Sequence, residues 1–196
     1  MTLADLAVYT PEGAGSIPAE ADHWLFYVGR DDVHGVLAAL FDAVTKSVYL
    51  NMYGYDDDQL NAQLIGLAEN PDVTVSVTLD KSQAGGKHEA ALLASDAAKD
   101  PAAYRSSFAI GQSASHQISH TKGGVLDDLV GFEGSTNWSA GGEGTFVLSG
   151  KPGGPGYKAQ NNTLMVFADA ATINSFRAEL THEHQIVLAQ GGALGG

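Results

Sequence analysis

The chain has 196 residues, no cysteine, and 23 acidic against 10 basic side chains, for a formal net charge of −13. That length suits one domain with a core of its own. Disulfides, thiolate metal sites and cysteine nucleophiles are excluded, and a broad basic surface for coating nucleic acid is not expected. The charge is uneven: residues 1–58 carry −8 and residues 59–196 carry −5, which leaves room for a small basic pocket in the second part. No apolar run approaches the roughly 20 residues of a membrane span. Met1–Ala19 lacks a basic stretch followed by an apolar one, so neither a signal peptide nor a location other than the cytoplasm is expected.

In chain order, Val33, Val36, Leu37, Leu40, Phe41 and Val44 follow helical spacing. Ser47–Tyr53 is β-rich, Asp56–Asp58 suits a helix start, and Leu60, Leu64, Leu67 and Ala68 line a second helix. Val73–Leu79 alternates at period two, and Glu89–Ala98 reads as a helix after a glycine turn. Further strands are expected at Ser106–Ile110, near Ile118–Lys122, at Val130–Glu133, Thr145–Leu148 and Thr163–Phe167. A closing helix carries Ile173, Phe176, Leu180, His184 and Val187 on one face. The alternation predicts an α/β or α+β sandwich with a mixed, mainly parallel sheet flanked by helices. Residues 1–22 read as an N-terminal extension, 23–188 as the domain, and 189–196 as a flexible glycine-rich tail; Gly141–Gly156 reads as a long loop.

The chemistry concentrates in His120-Thr121-Lys122-Gly123-Gly124-Val125-Leu126-Asp127, followed closely by Gly134-Ser135-Thr136-Asn137. On a strand, His120 and Lys122 project to the same face. An imidazole and an ammonium beside an amide and hydroxyls make an anion pocket, the equipment of phosphate chemistry without an obligatory metal.

The pattern His-x-Lys-(x)4-Asp with Gly-Ser-x-Asn resembles the signature of the phospholipase D superfamily. The likeness extends through Val77-Thr78-Leu79-Asp80-Lys81-Ser82-Gln83 and Gln160-Asn161-Asn162, over about residues 30–188, to the small single-motif bacterial endonucleases of that superfamily. The resemblance implies a phospholipase D-like domain and ping-pong hydrolysis of a phosphodiester through a phosphohistidine. It implies His120 as nucleophile or acid–base, Lys122, Ser135 and Asn137 on the phosphate oxygens, and Asp127 as a residue that fixes and polarises the site. One motif per chain implies a homodimer with a shared site. Where several single-motif nucleases carry a glutamate, this chain has Gln160-Asn161-Asn162, and Glu143 is the nearest acid upstream. An amide there stabilises imidazolium less than a carboxylate does.

Other residues admit plainer readings. His116 shares the expected strand face with His120 and is either a supporting base or a surface histidine. His182 and His184 lie two apart on a helix, about 200° from one another, so they do not chelate together. Lys81, Lys87 and His88 suit a rim that meets an anion or a plain surface, and Gly85-Gly86-Lys87 lacks phosphate-loop spacing. Trp24 suits packing, and Trp138 suits the pocket mouth or stacking on substrate. No metal or other cofactor is expected. Three functions stay open: a metal-independent nuclease, a phospholipase acting on lipid headgroups, and a weakly catalytic anion-binding protein.

Overall fold

The computed structural model describes residues 1–11, 16–83, 86–95, 106–113, 115, 117–145 and 158–190. Seven strands form one sheet: β1 (His23–Tyr27), β2 (Ser47–Met52), β3 (Thr74–Asp80), β4 (Ser106–Gly111), β5 (Lys122–Leu126), β6 (Val130–Gly134) and β7 (Thr163–Phe167). Their spatial order is β1-β7-β6-β5-β2-β3-β4. Helices α1 (Val33–Asp42), α2 (Asp58–Glu69), α3 (Lys87–Ala94), the short α4 (Ala140–Glu143) and α5 (Ala170–Ala189) complete the domain, preceded by a 3₁₀ helix at Leu3–Tyr9.

The sheet is mixed, and its balance differs from expectation. β2, β3 and β4 run parallel, joined by helical crossovers, but every pair from β1 through β7, β6 and β5 to β2 is antiparallel. The reason is local: β5 and β6 are joined by a tight turn, which permits only antiparallel pairing. Leu129 N–H donates to the Leu126 carbonyl, and Asp127 and Asp128 adopt φ of 56° and 57°. A turn with both central residues left-handed matches the twist of a hairpin. Strand β1 escapes sequence reading because only Phe26 of its five residues is buried.

The larger core fills the α1–α2 side of the sheet, where Val36, Leu37, Leu40, Phe41, Leu60 and Leu64 meet the inner faces of β2 and β3. On the other side α5 lays Ile173 and Leu180 over Val125 and Phe167. Leu3 and Leu6 of the 3₁₀ helix join the larger core, so part of the expected extension is packed. Residues 191–196, the expected tail, and 146–157, most of the expected loop and the Thr145–Leu148 strand, lie outside the described residues. No helix among the described residues is long and apolar enough to cross a membrane.

Candidate active site

The parallel strands β2, β3 and β4 all end at one edge of the sheet, and antiparallel β5 begins there, with Met52 opposite Lys122. Open α/β sheets bind ligands at such carboxyl ends. His120 stands just before β5 rather than on it, exposed, so the expected shared strand face does not form. It is placed instead by its neighbours. Buried Asp80, at the end of β3, accepts from Ser119 N–H at 2.5 Å, while the Ser119 hydroxyl donates to Asn51 Oδ1 at 3.0 Å. The Tyr53 ring lies 4.5 Å from the imidazole, centre to centre.

Lys122 is buried at 3% exposure, and its ammonium donates to the His120 carbonyl at 2.6 Å. It also lies 4.9 Å from the centre of the Tyr53 ring, in cation–π contact. Burial pulls its ammonium below the ordinary lysine value, and the Glu133 carboxylate opposes that shift. Burial likewise raises the Glu133 carboxyl, with Lys122 opposing. A cavity of about 340 Å³ opens beside His120, and Glu133, Phe176, Glu179 and Glu183 share its lining. The three carboxylates give that cavity an acidic wall.

The two halves of the motif meet on one connection between β2 and α2. Tyr53 N–H donates to the Thr121 carbonyl at 3.1 Å, and the Gly54 carbonyl accepts from Trp138 N–H at 2.8 Å. Asp56 N–H then donates to the Trp138 carbonyl at 2.6 Å. A Cβ on Gly54 would stand 2.8 Å from Cβ and Cγ of Asn137, so glycine is what lets that amide close down. Asn137 Oδ1 is enclosed and has no hydrogen-bond partner among the described residues. Ser135 is exposed; its hydroxyl accepts from Thr163 N–H at 3.0 Å and keeps its own hydrogen to donate. At Gly134 a side chain would overlap the Thr163 carbonyl, which fixes glycine before this turn.

Asp127 sits at the opposite end of β5 from Lys122. Its carboxylate accepts from the N–H groups of Thr45, Lys46 and Ser47 and from the Thr45 hydroxyl, at 2.7 to 2.9 Å. Burial pushes this carboxyl up, but those hydrogen bonds together carry it below the ordinary value. It locks the hairpin turn to the α1–β2 loop.

Several expectations need correction. Trp138 does not reach the pocket mouth: it is fully buried, edge-on to Phe41 at 5.3 Å and stacked near Tyr55 at 5.4 Å. Gln160 Oε1 accepts from Asn162 Nδ2 at 3.0 Å, so that amide is spent within its own segment, whereas Asn161 is exposed. Glu143 is buried against His34, their side chains 2.5 Å apart, and does not stand in for the missing glutamate near His120. Lys87 pairs with Asp58 at 2.8 Å, and His88 lies 3.0 and 2.8 Å from Asp56 and Asp58, so these two rim residues are already engaged by carboxylates. His116 lies outside the described residues. His184 is buried between Thr78 and Ser107, each 3.0 Å away.

Asn51, Tyr53 and Gly54 carry no motif of their own, and Asp80 stands in the resembling Val77–Gln83 segment without a role assigned to it. The usable signal was a carboxylate closing an otherwise apolar alternating strand at Asp80, and the Tyr-Gly pair directly after β2.

No family model matches the sequence, and comparison with curated proteins gives no match. Solved structures do match. NucT from Helicobacter pylori superposes with a TM-score of 0.60 at 16% identity, covering 83% of this chain and 95% of that one. Nuc from Salmonella typhimurium, a phospholipase D family member, gives 0.56 at 14% identity, over 82% of this chain and 92% of that one. Phosphatidylserine synthase from Haemophilus influenzae gives 0.57 at 14% identity, covering 91% of this chain and 42% of the other. The chain has the fold of NucT and of Nuc, and it spans most of the length of each.

Proposed function

We propose that this protein is a metal-independent phosphodiesterase, a nuclease by first reading, that works through a phosphohistidine. The observation carrying the reading is the exposed His120 imidazole packed against the same Tyr53 ring as a buried Lys122 ammonium that has been partly stripped of water. A dry, fixed positive charge stabilises developing phosphoryl charge far better than a hydrated one. In the first step His120 attacks phosphorus, the P–O bond to the leaving alcohol breaks, and a second histidine gives that alcohol its proton. In the second step the same histidine takes a proton from water, whose oxygen displaces His120 from phosphorus. Lys122 and Asn137 hold the non-bridging oxygens throughout. Each chain offers one such histidine, so a two-fold homodimer would supply the second. The near-complete coverage of NucT and Nuc supports the nuclease reading.

The acidic wall of Glu133, Glu179 and Glu183 favours a second reading, a diester whose leaving group is neutral or cationic, such as a phospholipid headgroup. Bis(p-nitrophenyl) phosphate hydrolysis in EDTA, wild type beside His120→Ala, tests the enzyme itself. Turnover that vanishes with His120 is expected; turnover retained in the variant, or absent in both, overturns the reading. Plasmid DNA and phosphatidylcholine vesicles under the same conditions then separate the substrates. A nuclease loses affinity steeply as salt rises, because each phosphate contact releases counterions.

A further inference from the structure

Apart from the His120 cavity, three side chains distant in sequence converge at helix termini. His34 is in the first turn of α1, Asp57 caps α2, and Glu143 lies on α4. His34 Nδ1 is 2.5 Å from Glu143 Oε2 and 3.6 Å from Asp57 Oδ2. We propose that these three residues form a binding site for a divalent first-row transition-metal ion, with Zn²⁺ as the reference case. The ion ties the loop carrying Asn137 to the starts of α1 and α2.

One imidazole and two carboxylates make a donor set suited to such ions, with a position left for water. One candidate ligand atom from each residue lies within 4.8 Å of the others. Bonds of about 2.0–2.2 Å around a tetrahedral centre place ligand atoms about 3.3–3.6 Å apart. The two separations from His34, 2.5 and 3.6 Å, lie within about 1 Å of that range, and the third pair is no more than 4.8 Å apart. His34 is already oriented: Nε2 stands 3.1 Å from Gln59 Oε1, which only accepts, so Nε2 carries hydrogen and Nδ1 faces the carboxylates. Metal-binding histidines are habitually held this way through their second nitrogen.

A second observation points to a missing partner. The Glu143 side chain is 0% exposed, and its Oε1 has no hydrogen bond among the described residues. A buried carboxylate oxygen left unsatisfied is costly, and a cation satisfies it. The His34 and Asp57 side chains keep 19% and 15% exposure, which gives the ion a way in. Binding replaces the proton shared by His34 Nδ1 and Glu143 Oε2, which leaves for solvent. The site lies outside the catalytic step, since none of its ligands lines the His120 cavity.

The test is calorimetric titration of the EDTA-dialysed full chain with ZnCl₂, with CoCl₂ absorption as a geometric probe. One ion per chain is expected, with a rise in Tm. Glu143→Gln and His34→Gln should lose that site, and Gln59→Ala should weaken it about tenfold or more. Asp57→Asn retains a capping oxygen for Leu60 N–H, so it stays folded while losing the Tm response. Absence of Zn²⁺ binding to wild type overturns the proposal. So does wild-type affinity in Glu143→Gln and Asp57→Asn, or binding that disappears with His88→Gln instead.

Discussion

The Lys122 ammonium donates its hydrogen bond to the carbonyl oxygen of His120, two residues back and 2.6 Å away. The backbone of the proposed nucleophile's own residue thus steadies the charge proposed to hold the phosphate oxygens. Lys122→Met is therefore expected to leave the fold intact and to cut turnover by about 10²–10³-fold or more, the scale of losing one electrostatic stabiliser. Circular dichroism beside bis(p-nitrophenyl) phosphate kinetics checks both halves of this expectation.

Gly54 offers a sharper probe, because it acts on the site through Asn137. Gly54→Ala puts a methyl against Asn137, whose amide must then move. Loss of kcat with a small change in Tm is the expected signature. Activity at wild-type level would show that Asn137 tolerates displacement.

Asp127 belongs to the signature by pattern but acts at a distance from His120. Asp127→Ala removes four accepted hydrogen bonds at once and should cost about 1–3 kcal/mol in urea unfolding. The carboxyl sits below its ordinary value when folded, so its contribution is present above the unfolded value of 3.8 and fades as pH falls below that. Specific activity of the folded variant should stay near wild type.

His184 works in the opposite direction. Burial between β3, β4 and α5 lowers its imidazole from 6.5 to about 4, so the unfolded chain binds this proton more readily than the folded one. Stability is then full above pH 6.5 and falls between 6.5 and about 4, by up to about 3 kcal/mol at 1.4 per unit. Denaturation at pH 7 and pH 5 measures the slope, and His184→Gln should flatten it.

Hydrolysis is expected to persist in EDTA at moderate temperature, since the proposed mechanism draws on His120, Lys122 and Asn137 alone. The proposed ion at His34 would then register in Tm while leaving kcat unchanged. Sedimentation checks the other requirement, a dimer in the active preparation.

The elements whose side chains repeat with a clear period were legible: α1, α2, β2, β3 and the buried seam of α5 all follow from spacing. β1 was not, because a sheet-edge strand with one buried residue shows no alternation. The sheet's antiparallel majority was hidden in a two-aspartate turn whose left-handed backbone leaves no periodic trace. At the site, His120, Lys122 and Asn137 could be named from their motif, but not what holds them. Tyr53 and Gly54 meet those residues only through the tertiary fold, and Glu143 finds His34 across 109 positions of sequence. Trp138 misled because its neighbour in sequence is polar while its neighbours in space are Phe41 and Tyr55.

The short run from Tyr53 to Asp56 grips the segment before β5 on one side and the turn after β6 on the other. A nascent or nicked chain that has formed either half alone holds no competent centre. Hydrolysis would thus begin only when the whole sheet has closed, so catalysis doubles as a readout of cooperative folding: in rising urea, activity and tertiary structure should disappear on one curve.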